Sequence, residues 1–127
     1  RLGEAGLAQM LDLLPDDHPV TDLSMAAMTS GLLVDVAAGA KVTTPIILMF
    51  TGDSEAVSTH PVVLLRVGAA AHAVVADWHQ SAVGLSAPLL GIDIADKARL
   101  DYAKIQSDGA ATTHLAATGI KMGKNAV

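Results

Sequence analysis

The chain has 127 residues, with eight Lys and Arg against thirteen Asp and Glu and a formal net charge of -5. This mild acidity argues against a nucleic-acid partner, which requires a basic face to neutralise phosphates. The absence of Cys excludes a disulfide framework, a thiol nucleophile and a cluster held by thiolates of this chain. A hydrophobic fraction of 51% with only 2% aromatics predicts a thin core filled by small aliphatic side chains, such as a flattened coil of strands.

The mean hydropathy of +0.45 raises the question of a membrane segment. Spanning a bilayer requires about 20 apolar residues in succession. The longest apolar runs, Pro45–Phe50 and Pro61–Leu65, are much shorter and have the length of buried strands. No basic segment followed by an apolar stretch marks a secretory signal. We therefore expect no membrane partner and a cytoplasmic location, and the start at Arg1 rather than Met predicts a fragment of a longer protein.

The first 30 residues have the pattern of a helical lead-in. Apolar residues fall at helical spacing within residues 4–14, and Glu4 is placed favourably in the first turn. The segment Pro15–Pro19 interrupts this helix, and Thr21 or Asp22 can cap a second short helix that ends before Gly31.

From residue 31 to residue 127 the chain becomes a series of short apolar runs separated by Gly, Pro and Asp. Val, Ile and Thr are frequent and no helical period persists, which predicts strands. Residues 83–88 contain Gly, Ser and Pro and are predicted to form a loop. The candidate strands are 32–36, 41–44, 46–51, 62–67, 72–79, 89–94, 98–106 and 113–120.

A weak internal repeat runs through this region. Three segments, Gly39–Thr44, Ala70–Val75 and Lys97–Tyr102, each contain Ala followed by alternating residues, and they recur roughly every 27–31 residues, as in solenoids. Strand alternation then directs one set of residues inward and a basic set outward. The inward set is Val42, Ala73 and Leu100 with Thr44, Val75 and Tyr102, and the outward set is Lys41, His72 and Arg99. The sequence therefore predicts a mostly-β protein with a right-handed parallel β-helix-like core over residues 31–127.

Five histidines are candidate ligands or bases: His18, His60, His72, His79 and His114. Asp77 and His79 are two residues apart, so a strand places both on one face, where they can bind a metal or orient a general base. The alternative is a strand that leaves the core with Trp78 packed inward. Because no second pair at ligand spacing involves a histidine, we assign no metal ligand.

Clustered carboxylates offer an enzymatic alternative, a β-helix carbohydrate-active enzyme with Asp77, Asp93, Asp96 or Asp101 as acid and base. Asp93 and Asp96 also flank a turn, where Asp is favoured, and the low aromatic content provides few platforms for sugars. No Gly-x-Ser-x-Gly elbow and no phosphate-binding glycine loop is present. We assign no catalytic residue, and a structural β-domain without a ligand is a third interpretation.

The order and spacing of five segments resemble the SufB/SufD family of iron–sulfur cluster assembly proteins. These segments are Leu23–Val36, Pro45–Leu48, His60–Gly68, Ala71–Asp77 and Ala98–Gln106. The likeness covers residues 23–127, and the lack of Cys makes it more SufD-like than SufB-like.

The resemblance implies a right-handed parallel β-helix that serves as a non-catalytic scaffold of the SUF machinery, within a longer SufBD domain. It implies a SufB/SufD-type partner and the SufC ATPase as partners. It also implies that the assembled complex handles the iron–sulfur cluster, while this chain binds no cofactor alone. It supplies no site residues, because the cluster positions of the family have no match in this chain. The exposed strand edges of a coil stack further predict self-association, with a homodimer as one form. The alternative is that other parts of a longer chain cover that end.

Overall fold

The computed structural model describes residues 1–52 and 57–127. Within these residues the chain forms two helices followed by ten strands. The helices are α1 (Glu4–Leu13) and α2 (Pro19–Ala27). The strands are β1 (Gly31–Val36), β2 (Lys41–Thr51), β3 (Ser58–Thr59), β4 (Val62–Val67), β5 (His72–Gln80), β6 (Val83–Ser86), β7 (Leu89–Ile94), β8 (Arg99–Gln106), β9 (Ala111–His114) and β10 (Ala117–Met122).

The strands form three parallel sheets that are the walls of one coil. Sheet A has the order β1-β4-β7-β10, sheet B has β2-β5-β8 and sheet C has β3-β6-β9. Every third strand in the chain therefore returns to the same wall, one strand further along. The protein is a β-solenoid of about three turns with a short helical lead-in, which confirms the fold class expected from the sequence.

One turn shape recurs where sheet A passes into sheet B. In each copy the N–H of the fourth residue donates to the carbonyl of the first over 3.0–3.2 Å, and the third residue has a φ of 56° to 72°. The four copies are residues 37–40, 68–71, 95–98 and 123–126, with Gly39, Ala70, Lys97 and Asn125 at the positive φ. After the last copy, the Val127 carbonyl accepts a backbone hydrogen bond from Leu100 of β8, and its N–H donates to the carbonyl of Ala98, the residue before β8. Every coil thus enters sheet B with the same geometry.

The interior is built from columns of aliphatic side chains that repeat from coil to coil. Sheet A contributes Leu65 above Ile92 and Val67 above Ile94, all at most 5% exposed. The small side chain of Ala73 faces them from sheet B and is fully buried. Burial of such residues removes apolar surface from water at about 25 cal/mol per Å². The predicted thin aliphatic core is therefore present.

The helical lead-in covers the outer face of sheet A. Met10 of α1 and Leu14, which directly follows the helix, are buried against Leu64 and Leu89, which point away from the coil interior. The central strands of sheet A, β4 and β7, are consequently buried on both faces, which explains the uninterrupted apolar run at the start of β4. The helix lies very close to the strands, since a Cβ added at Gly119 would be 2.0 Å from the carbonyl oxygen of Leu13.

Several sequence-based boundaries were wrong. Residues 83–86, predicted as loop, form β6, because β3 and β9 on either side supply its ladder hydrogen bonds. The predicted strand 113–120 is two strands, β9 and β10, separated by a corner. The second helix begins at Pro19 rather than after a Thr21 or Asp22 cap, because proline suits the first helical turn.

Of the two inward columns that the repeat predicts, one is correct and the other is wrong at one residue. Val42, Ala73 and Leu100 do share a column. Val75 and Tyr102 also share one, but their neighbour in the first coil is Ile46 rather than Thr44. The register shifts between Val42 and Ile46, around a proline that has no N–H for the ladder. Among the described residues, no helix is long and apolar enough to cross a membrane.

Candidate functional site

The predicted basic column is present on the outer wall of sheet B. Lys41, His72 and Arg99 occupy equivalent positions on three successive strands. Asp101 lies among them, with its carboxylate 2.8 Å from Nε2 of His72 and 2.8 Å from an Arg99 guanidinium nitrogen. The hydrogen bonds from Arg99 and then from His72 lower the pKa of Asp101, and the same carboxylate raises the pKa of Arg99. These pairs are exposed, so they contribute little to stability.

The pair at Asp77 and His79 faces the interior of the coil, and Trp78 points outward. The prediction that Trp78 packs inward was therefore wrong, because the alternation of β5 is set by Ala73 and Val75 in the core. Asp77 Oδ2 lies 3.1 Å from His79 Nε2, and both side chains are less than 5% exposed. The His79 ring stacks on Phe50 with the ring centroids 4.6 Å apart. Trp78 instead donates its indole N–H to Ser107 over 2.7 Å.

A second carboxylate–imidazole pair meets the first inside the coil. His114 Nδ1 lies 3.2 Å from Asp108 Oδ2, and the His114 and His79 rings are in edge contact at 4.8 Å. Five side-chain atoms of these four residues are buried without a hydrogen-bond partner. They are Asp77 Oδ1, His79 Nδ1, Asp108 Oδ2, His114 Nδ1 and His114 Nε2. Asp108 Oδ2 and His114 Nδ1 are close enough for an ion pair but are not aligned for a hydrogen bond. Asp108 was not among the residues singled out in the sequence, because it lies 31 positions after Asp77 and joins that pair only through the contact between His114 and His79.

Burial favours the neutral forms of two side chains at this polar cluster, His114 and Tyr102. Burial, then the positive charge of Lys104 and then His79 lower the pKa of His114, and Asp108 opposes them. Burial and, next, the hydrogen bond to Asp77 raise the pKa of the Tyr102 hydroxyl. No group of three or more His, Asp or Glu among residues 1–52 and 57–127 is arranged to hold a metal ion. The cluster forms a polar segment in an otherwise aliphatic interior.

The carboxylates of the enzymatic alternative lie on different faces of the solenoid. Asp77 is inside the coil, and Asp101 is on the outer wall of the same sheet. Asp93 accepts a hydrogen bond of 2.6 Å from Gln9 of α1, on the outer face of sheet A. Asp96 belongs to a turn and accepts the backbone N–H of Lys124 over 2.8 Å. Glycoside cleavage requires two carboxyl groups across one bond, and these four residues do not border a common cleft.

The remaining histidines are tied to the helical lead-in. His18 is the residue before the first turn of α2. His60 follows β3, and its Nδ1 lies 3.1 Å from Ser24 Oγ of α2. Ser24 is fully buried and also donates to the carbonyl of Ala87 over 2.8 Å. These two hydrogen bonds attach α2 to the corners of two successive coils. The serine at this position, followed by apolar residues, was the only sequence signal for the attachment.

Several inward-facing side chains are exposed at the C-terminal end of the coil stack, on β8 and β10, the last described strands of sheets B and A. Ile120 and Met122 are 57% and 55% exposed, whereas Ile92 and Ile94, one coil earlier in the same columns, are 1% and 5% exposed. On the opposite wall, β8 is the last strand of sheet B, and the inward residues Lys104 and Gln106 are exposed as well. This end therefore presents an apolar half on sheet A and a polar half on sheet B.

Comparison of the chain with protein-family models, with curated proteins and with solved structures found no match.

Proposed function

We propose that this chain serves as a scaffold, a role that is itself non-catalytic, by binding the solenoid of a partner protein at its C-terminal coil end. The single observation that carries the proposal is the exposure of Ile120 and Met122. The equivalent residues one coil earlier, Ile92 and Ile94, are buried. Apolar surface of this kind is typical of an interaction site when polar residues border it. Lys104 and Gln106 provide that polar border on the facing wall.

The backbone of the last described strands can pair with an added strand. Strands β8, β9 and β10 are the last strands of the three sheets within the described residues. An edge strand offers alternate N–H and carbonyl groups to an added strand, which supplies affinity through the backbone. The apolar and polar halves of the end then select a partner with a matching pattern. A partner coil would extend the columns as the interior coils do.

We further propose that the partner is of the SufB/SufD type and that the role belongs to the SUF machinery with the SufC ATPase. The support is the sequence resemblance, together with the neighbouring positions of its segments in sheet B. Pro45–Leu48 lies on β2, and, apart from their first residues, Ala71–Asp77 and Ala98–Gln106 lie on β5 and β8. These three strands are adjacent. The chain offers no thiolate, so the assembled complex would handle the iron–sulfur cluster. The role implies a cytoplasmic location, which cell fractionation tests.

The test measures binding of the purified chain to SufB-type and SufD-type proteins by isothermal titration calorimetry. We expect Ile120→Lys to weaken binding about 100-fold, because it replaces a buried isoleucine by a buried charge at the interface. The matched control is Leu32→Lys. Leu32 is also a partly exposed inward residue, but it lies at the opposite end of the stack. The control variant should bind as the unaltered chain does.

Two results would contradict the proposal. If the folded chain binds neither SufB-type nor SufD-type protein, the assignment to the SUF machinery is wrong. If Leu32→Lys abolishes binding and Ile120→Lys does not, the C-terminal end is not the binding surface. Light scattering measures the mass of the chain alone over a range of concentrations and detects a homodimer. If the homodimer forms through the same end, Ile120→Lys should dissociate it.

A further inference from the structure

A continuous series of hydrogen-bonded hydroxyl and imidazole groups lies at the corner of the first coil. Ser58 and His60 are two residues apart, so their side chains point to one side of the strand. The Ser58 hydroxyl contacts Nε2 of His60. On the other side of the ring, Nδ1 lies 3.1 Å from Ser24 Oγ, and Ser24 Oγ lies 2.8 Å from the carbonyl oxygen of Ala87.

The donor and acceptor of each hydrogen bond in this series can be assigned from its buried end, the carbonyl of Ala87. The carbonyl of Ala87 has no hydrogen, so Ser24 must donate to it. The Ser24 oxygen therefore accepts from Nδ1–H of His60, and the neutral ring carries its single proton on Nδ1. Nε2 is then the unprotonated nitrogen, which can only accept, and Ser58 must be the donor. A hydroxyl that donates to an oriented imidazole is the arrangement that activates a serine nucleophile.

The Ser58 hydroxyl opens onto a cleft with room for a small molecule. The cleft has a volume of about 480 Å³, and Met49, Phe50 and Thr51 line the side contributed by β2. Ser58 is exposed, so a substrate can reach it. β3 is also the first strand of sheet C within the described residues. Edge strands present N–H groups without a partner strand, and such donors stabilise the oxyanion formed when a carbonyl is attacked.

We propose that Ser58 is a nucleophile for small carboxylic esters, with His60 as its general base and Ser24 as a positioning residue. Ser58 Oγ forms a bond to the ester carbonyl carbon while its proton passes to His60 Nε2. The carbon–oxygen bond to the leaving group then breaks, and the departing alcohol takes that proton. Water attacks the acyl-serine, gives a proton to His60 and releases the acid, and Ser58 recovers its proton. The site is at the opposite end of the stack from the proposed partner surface, so either function can fail without the other.

The test uses p-nitrophenyl acetate as the probe, with release of p-nitrophenolate and mass-spectrometric mapping of acetylated residues. Serine 107 is the matched comparison, because Ser107 is exposed and has no imidazole on its hydroxyl. We expect Ser58 to be acetylated at least about 100-fold faster than Ser107, since general-base catalysis contributes this much. His60→Gln should remove that advantage, Ser58→Ala should remove the adduct, and Ser107→Ala should leave the rate unchanged.

The role of Ser24 has a spectroscopic test that does not depend on activity. Nitrogen-15 shifts of the His60 ring report which nitrogen is protonated, and we expect the Nδ1–H form in the unaltered chain and a mixture in Ser24→Ala. Circular dichroism checks that each variant is folded. Equal acetylation of Ser58 and Ser107 in the folded protein would overturn the proposal. A rate at Ser58 that is unaffected by His60→Gln would also overturn it.

Discussion

Substitution of Gly119 by alanine tests the contact between the helical lead-in and the last strand of sheet A. The added methyl carbon would lie 2.0 Å from the carbonyl oxygen of Leu13 and 2.6 Å from its carbonyl carbon. Ordinary contact begins near 3.4 Å, so the substitution is about 1.4 Å too close. The obstacle is backbone, and no side-chain rotation can relieve it. Either α1 moves away from the sheet or β10 shifts.

We expect Gly119→Ala to lower the free energy of unfolding by about 1–3 kcal/mol, the usual cost of overpacking. For a chain of this size the melting temperature should fall by roughly 4–12 °C. Complete release of α1 would cost more, because Met10 and Leu14 would be exposed at about 1.5–3 kcal/mol each. A modest displacement of the helix is therefore the favoured response.

The measurement is thermal and urea unfolding followed by circular dichroism. Lys121→Ala is the control, because Lys121 is exposed on the same face of β10, and it should change the stability by less than about 0.5 kcal/mol. Leu13→Ala should not rescue Gly119→Ala, since the Leu13 side chain is not the obstacle. If Gly119→Ala melts within about 1 °C of the unaltered chain, α1 does not lie over β10 and the described helix packing is wrong.

Three further substitutions have expected effects on stability. Ser24→Ala should destabilise by about 1–3 kcal/mol in urea unfolding, because the buried carbonyl of Ala87 loses its donor; no change would refute the pinning of α2. Ala70→Gly should stabilise by up to about 1 kcal/mol, since alanine at a φ of 56° is strained, and a lower melting temperature would contradict this. The lowered pKa of His114 means that the unfolded chain takes up that proton first as the pH falls. Stability should therefore decline below about pH 6.5 by at most about 1.4 kcal/mol per pH unit, and an unchanged slope in His114→Gln would show that another group is responsible.

The coil architecture could be predicted from the sequence because it depends on local patterns. Short apolar runs, turn residues and a spacing of 27–31 residues are sufficient to indicate strands that stack with like positions aligned. The basic column of Lys41, His72 and Arg99 followed directly from that spacing. Errors arose where a neighbouring coil overrides the local signal. Pairing on both edges holds residues 83–86 extended despite Gly84, and a bulge beside Pro45 displaces Thr44 from the column.

The candidate sites were harder to predict, because they depend on contacts between distant segments. Asp77 and His79 were recognised as a pair, but the side of the strand that they occupy depends on the core register. Their contact with His114 requires the full turn of the coil. The sequence does contain a signal for the helices that cover sheet A, namely that β4 lacks polar alternation. A strand with no polar alternation is buried on both faces, and the glycines of β7 and β10 mark the close approach of α1.

The recurrent turn makes the length of the solenoid adjustable. Residues 71–97 begin and end at equivalent points of two turns, so their excision would join Ala70 to Ala98 with the same backbone geometry. Duplication of such a unit would lengthen the stack in the same way. Each unit changes the separation between the two ends by one strand spacing, about 4.8 Å. Whole-coil gain or loss is thus a simple evolutionary route by which a solenoid of this kind can change the distance between its two end surfaces.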